Sequence, residues 1–107
     1  MEMNQYEIVL VNLDPTIGSE IKKTRPCVII SPNEINHNLL TVTIAPMTTT
    51  SRKYPTRVKL THNETEAWVA IEQIRTIDKC RIIKTLGKLS NKEINNVKST
   101  IKETFVD

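Results

Sequence analysis

Arg25 is the residue whose setting says most about chemistry. It precedes Pro26, which biases it toward an extended backbone, and the apolar run Cys27-Val28-Ile29-Ile30 follows at once. An arginine fixed at the mouth of a strand presents a planar, permanently charged fork that matches a phosphate. A surface ion pair with Glu20 is the plainer use of the same side chain. After Met47 come four hydroxyls in a row, Thr48-Thr49-Thr50-Ser51, which serve either as donors to a ligand or as ordinary strand-end turn chemistry. Further polar residues fall at expected strand ends: Ser19, Glu20, Arg52, Glu72, Gln73 and Arg75. His37 and His62 stand in polar contexts without Cys, Asp or Glu at ligand spacing, so no metal site is expected. No GxSxG, P-loop or GxGxxG occurs, and glycine appears only at positions 18 and 87. Nucleotide cofactors are therefore not expected. Cys27, inside its apolar run, reads as a buried inert thiol rather than a nucleophile.

Short strands must position these groups. Ile8-Val9-Leu10-Val11 and Cys27-Val28-Ile29-Ile30 are apolar runs closed by turn residues. From Leu39 to Ala45 apolar residues alternate with Thr, the period of a half-buried strand. Arg57-Val58-Lys59-Leu60 alternates too, Trp68-Val69-Ala70-Ile71 is another short run, and Ile82 to Leu89 is a weaker candidate interrupted by Gly87. The carboxyl end changes period. Ser90 and Glu93 have the spacing of a capping box, with Leu89 and Ile94 as a hydrophobic staple. Ile94, Val97, Ile101 and Phe105 then form one apolar stripe on a helix of about four turns. The expected fold is mainly β, a small barrel or sandwich with a C-terminal α-helix.

Composition sets the outer bounds. A chain of 107 residues, 38% apolar and 25% charged, is expected to make a single domain spanning 1–107. No apolar run approaches the ~18 residues needed to cross a bilayer, and Met1 to Gln5 has no signal-peptide character. A cytoplasmic setting with Cys27 and Cys80 reduced is the expectation. The net charge is +3, but between Lys22 and Thr61 seven basic residues face one acid, Glu34. A second basic group runs Arg75, Lys79, Arg81, Lys84, Lys88. Such blocks attract phosphates or acidic peptide tails, or are simply solvated strand faces. With only four aromatic residues, a platform of several stacked rings is not expected.

Three blocks together resemble one family. Val11-Asn12-Leu13-Asp14-Pro15-Thr16-Ile17-Gly18-Ser19-Glu20, continuing through Lys23-Thr24-Arg25-Pro26-Cys27-Val28-Ile29-Ile30-Ser31, looks like the opening signature of the MazF/PemK toxins. Ala45-Pro46-Met47-Thr48 with Tyr54-Pro55-Thr56-Arg57-Val58 is similar to the family's second strand end and following loop. Glu72-Gln73-Ile74-Arg75-Thr76-Ile77-Asp78 is similar to its third block. The resemblance implies an SH3-like small β-barrel that forms homodimers, acting as the toxin of a type II toxin–antitoxin pair. It implies a ribosome-independent endoribonuclease on single-stranded RNA, with the catalytic Arg and Thr falling on Arg25 and Thr48. The loop Thr16 to Lys23 would frame the RNA groove. Substrate-binding positions carried over on the same basis are Ser19, Glu20, Lys23, Thr49, Arg52, Tyr54, Glu72 and Gln73. The chain departs from the pattern in three places. Some relatives pair an acid at the position of Glu72 with an Arg two places earlier, which is Ala70 here. The Gly-Asp opening of the first strand is Tyr6-Glu7, and the usual Gln-Gly-Gly-like loop tip is Ile21-Lys22-Lys23, which puts an altered cleavage preference in view.

The residues suit that reaction on their own terms. RNA is cut without metal when its 2′-hydroxyl attacks the adjacent phosphorus, leaving a 2′,3′-cyclic phosphate and a 5′-hydroxyl. Arg25 would stabilise charge on phosphorus, and Thr48 would donate to a non-bridging oxygen or orient the 2′-hydroxyl. A guanidinium is a poor base near neutral pH, which leaves Glu20 or Glu72 for proton transfer. The 2′-hydroxyl requirement excludes DNA as substrate. The implied partners are single-stranded RNA and a cognate antitoxin with an acidic disordered segment, with no membrane. Two other readings stay open: a CcdB-like gyrase poison, and a non-catalytic SH3-like domain binding RNA or an acidic peptide. CcdB-type proteins carry Trp near the end of the terminal helix, whereas this chain ends Thr104-Phe105-Val106-Asp107.

Overall fold

The apolar runs are strands, and their alternation decides which side of one sheet each residue faces. The computed structural model describes residues 3–13, 24–49, 54–62 and 65–106. Its strands are β1 (Glu7–Asn12), β2 (Thr24–Ile29), β3 (Thr41–Thr48), β4 (Arg57–His62), β5 (Thr65–Ala70), β6 (Arg75–Asp78) and β7 (Ile82–Lys88). Helix α1 spans Asn33–Asn38 and helix α2 spans Asn91–Ile101. The strands form one antiparallel sheet in the order β4-β5-β3-β2-β1-β7, with β6 also on β3. Among the described residues β4 and β7 are not paired with each other, so the expected barrel is an open sheet.

β5 and β6 lie successively along the same edge of β3. Met47 pairs with Val69, and three residues further back along β3 Ile44 pairs with Arg75. The partner run has advanced six residues over that interval. The surplus is the 3-10 turn Ile71–Gln73, which carries Glu72 and Gln73 out of the ladder beside β3.

Two buried clusters lie on opposite faces. Ile8, Val28, Ala45, Met47, Val58, Leu60, Ala67 and Val69 form the first, with Leu89 and Val97 of the helical end packed in. Val9, Val11, Cys27, Ile29, Val42, Ile44 and Ile77 form the second, joined by Met3. Odd and even residues of β1, β2 and β3 part cleanly between them, as the two-residue strand period requires. Helix α2 serves the first cluster. Its capping box is complete, with Glu93 N donating to Ser90 Oγ at 3.2 Å and Ser90 N donating to Glu93 Oε1 at 2.9 Å. Leu89 and Ile94 both pack into this cluster, as the staple requires. Glu93 also accepts from Thr61 N at 3.2 Å, so the helix satisfies backbone on the edge strand β4 and shields it.

Four features differ from the expectation. Phe105 does not extend the buried stripe, because the last turn, Lys102–Val106, is π-helical. Its wider turn carries Phe105 off the line of Ile94, Val97 and Ile101 and leaves it 59% exposed. The segment Asn33–Asn38 is a helix without an apolar stripe, pinned by the buried Asn36, whose amide donates to Ser31 O at 2.8 Å and whose carbonyl accepts from Ser31 Oγ. Arg75–Asp78 is a strand in its own right. Gly87 does not break β7; it sits where the β1–β7 register shifts between Ile8↔Gly87 and Val9↔Thr85, an irregularity that glycine accommodates.

Candidate active site

Arg25 and Thr48 flank the last pair of the β2–β3 ladder, each two residues beyond it. Cys27 pairs with Pro46 across β2 and β3. Extending that register by two residues sets Arg25 opposite Thr48, where side chains of an antiparallel pair share a face. Arg25 is exposed and Thr48 is half-buried. Both lie on the side of the second cluster, since their neighbours in sequence alternate with Val28 and Met47 of the first.

Cys27 lies on the same face and has no exposed surface. Burial pushes its thiol up to about 12, against an opposing pull from the guanidinium groups of Arg25 and Arg75. The Cys27 thiol also donates to the backbone carbonyl of Arg25 at 3.5 Å. Arg75 reaches this face because it pairs with Ile44, two residues from Pro46 on β3. The thiol is protonated at neutral pH and is no nucleophile.

A second group of polar side chains gathers on the 3-10 turn. Glu72 Oε1 accepts from Thr56 Oγ1 at 2.8 Å and from Arg57 Nε at 3.0 Å. Partial burial works against the carboxylate's charge, but the two hydrogen bonds and the Arg57 charge outweigh it and hold Glu72 below its ordinary range. Arg57 in turn lies 5.2 Å from the centroid of the Tyr54 ring, within cation–π distance. Arg57 is the cross-strand partner of Ala70. A guanidinium thus meets Glu72 from β4, although the position two residues before Glu72 lacks one. Local sequence could not show that pairing, since it depends on the β4–β5 register.

Of the remaining expected contacts, Thr49 is exposed just past the end of β3, and Gln73 is exposed at the end of the 3-10 turn. Ser19, Glu20, Lys23 and Arg52 lie outside the described residues, as does the loop from Thr16 to Lys23. Arg75, expected as a polar residue at a strand end, opens β6 and is exposed. His37 sits on α1 with its Nε2 3.1 Å from Asn4 Oδ1. No helix among the described residues is long and apolar enough to cross a membrane.

Among the described residues, a seven-stranded antiparallel sheet followed by a C-terminal helix defines a small, mainly β protein. Residues 4–105 of the sequence match the model of the PemK-like, MazF-like toxins of type II toxin–antitoxin systems, and the chain belongs to that family. It is 33% identical over 105 residues to the endoribonuclease MazF of Staphylococcus saprophyticus, covering 92% of this chain and 88% of that one. It is 32% identical over 110 residues to the endoribonuclease MazF9 of Mycobacterium tuberculosis, covering 94% and 93%. Its fold superposes on a MazE–MazF crystal structure from Deinococcus radiodurans with a TM-score of 0.82, at 22% identity and 96% and 95% coverage.

Proposed function

We propose that this chain is a toxin endoribonuclease that cuts single-stranded RNA by transesterification within the strand. The reading is carried by membership of this family, with Arg25 two residues before Cys27 and Thr48 two residues after Pro46, the pair at the end of the β2–β3 ladder. In the proposed reaction the 2′-oxygen bonds to phosphorus, the bond to the 5′-oxygen breaks, and the product ends are a 2′,3′-cyclic phosphate and a 5′-hydroxyl. A base takes the 2′-hydroxyl proton and an acid supplies one to the departing 5′-oxygen. Arg25 stabilises the negative charge that grows on the non-bridging oxygens, where preorganised donors have their largest effect. Thr48 donates to one of those oxygens or orients the nucleophile. Glu72, kept anionic by Thr56 and Arg57, is a candidate proton acceptor. Substrate contacts are assigned to Ser19, Glu20, Lys23, Thr49, Arg52, Tyr54, Glu72 and Gln73.

On this reading the protein acts in the cytoplasm as a homodimer and is silenced by an acidic antitoxin segment; a MazE–MazF complex is among the similar structures. The test is incubation of the purified protein with a long single-stranded RNA in EDTA, followed by end mapping. Discrete cuts with 2′,3′-cyclic phosphate termini are expected. Intact RNA, or cuts that require an added divalent ion, would overturn the proposal.

A further inference from the structure

Trp68 lies beside the proposed catalytic pair. The β3–β5 ladder pairs it directly with Thr48, and the β4–β5 ladder pairs it with Lys59. Its sequence neighbours Ala67 and Val69 are both in the first buried cluster. Alternation therefore turns Trp68 to the opposite face, the one that carries Thr48 and Arg25. The ladders set Lys59, Trp68 and Thr48 in one row across β4, β5 and β3, and continuing the Cys27↔Pro46 register by two residues would place Arg25 next in that row on β2. Adjacent strands are ~4.8 Å apart, so on that register Arg25 would stand about 10 Å from Trp68 at the backbone. A base attached to a ribose held at Thr48 falls within reach of the indole.

The residue type is unexpected for its place. Trp68 is half-buried, whereas β5 positions on the other face are filled by the small Ala67 and the branched Val69. An indole on the partly open face of a sheet, flanked by a cation on one side and a hydroxyl on the other, offers a π surface next to a phosphate-binding fork. That combination binds single-stranded nucleic acid with little regard to base identity, because every base has a π face. Lys59 at the end of the row pairs with Glu66 at 2.9 Å, both side chains being well exposed, so the charge there is shared rather than dedicated to RNA.

We infer that Trp68 stacks on a base adjoining the scissile phosphate and anchors the strand against Thr48 and Arg25; this rests on the endoribonuclease reading. Trp68 is a binding residue in this scheme and takes no part in bond making. Its loss should raise KM and leave kcat nearly unchanged.

It is the sole tryptophan of the chain, so its emission reports on this position alone. The experiment titrates the unaltered protein with a single-stranded RNA made uncleavable by 2′-O-methyl groups, and measures cleavage kinetics on the unmodified RNA. Saturable quenching is expected with the modified strand. Trp68→Ala is expected to raise KM about ten- to a hundred-fold, the range of one lost base stack, with kcat within about twofold. Trp68→Phe, which keeps a ring, should recover most of the loss and guards against a folding artefact. Unchanged emission at saturating RNA, or a wild-type KM in folded Trp68→Ala, would overturn the inference. So would quenching by an acidic peptide but not by RNA. Failure of the unaltered protein to cut RNA would instead strike the proposed activity, and the quenching titration would still decide the role of Trp68.

Discussion

Glu72 owes its charge to two neighbours that are distant in sequence. Thr56 and Arg57 donate to the same oxygen, and their hold outweighs the cost of partial burial. A carboxylate whose folded pKa is lowered gives its full stabilisation above its ordinary value and loses it as pH falls through the lower folded value. Glu72→Gln should therefore flatten the acid limb of the stability curve and cost about 1 kcal/mol or less at neutral pH, because the pair is partly solvated. Urea midpoints measured from pH 3 to 7 check this; an unchanged acid limb would contradict the ion pair. Arg25 presents the opposite case, since its side chain is exposed and the core does not depend on it. Arg25→Ala should lower the cleavage rate by at least ~10²–10³ with little change in Tm. Arg25→Lys should not restore it, as a point charge lacks the two-pronged fork. Wild-type rates in folded Arg25→Ala would remove Arg25 from the mechanism.

At the level of elements, Tyr6 shows a local cost accepted for a tertiary gain. It enters β1 with φ at 68°, a left-handed conformation that costs most residues ~1–2 kcal/mol and glycine almost nothing. The family resemblance puts glycine at this place. Two backbone bonds fix it there, Tyr6 N to Ile29 O at 2.7 Å and Leu89 N to Tyr6 O at 3.0 Å, while its ring packs on the first cluster. Tyr6→Ala should destabilise more than Tyr6→Gly, by about 1 kcal/mol, since both lose the ring but only Ala keeps the strain. Equal losses in chemical denaturation would contradict the strained backbone. The same element shows where sequence reading stops. β1, β2, β3 and α2 were legible because each obeys a period over several residues or carries a capping box. Helix α1 was not, since a single buried Asn36 bonded to Ser31 holds it rather than an apolar stripe. The resemblance pointed to Arg25 and Thr48 residue by residue, whereas Arg57 with Glu72 and Trp68 with Thr48 depend on ladders between strands. Periodicity reports which way a side chain faces but not what stands opposite.

For the whole molecule, the open edges and exposed apolar groups argue for assembly. The sheet ends at β4 and β7 among the described residues, and α2 already shields β4. Ile83 on β7 is 48% exposed, and the terminal turn leaves Phe105 59% and Val106 72% exposed. A second copy of the chain would cover such groups and set two basic faces side by side, as a two-fold axis requires. The face that carries Arg25 and Arg75 would then continue across both protomers as one positive groove. RNA and an acidic antitoxin segment share the chemistry that such a groove selects, so they should compete. A disordered segment that orders on binding adds a conformational cost and makes the balance more dependent on charge. Inhibitor affinity should therefore fall as salt rises, and displacement should run both ways between RNA and inhibitor. Light scattering at micromolar protein should give about twice the 12.2 kDa chain mass, and antitoxin added to preformed toxin–RNA complex should release the RNA. A purely monomeric species would overturn the paired groove. Inhibition that leaves RNA bound would show that the antitoxin acts elsewhere than on the face of Arg25 and Thr48.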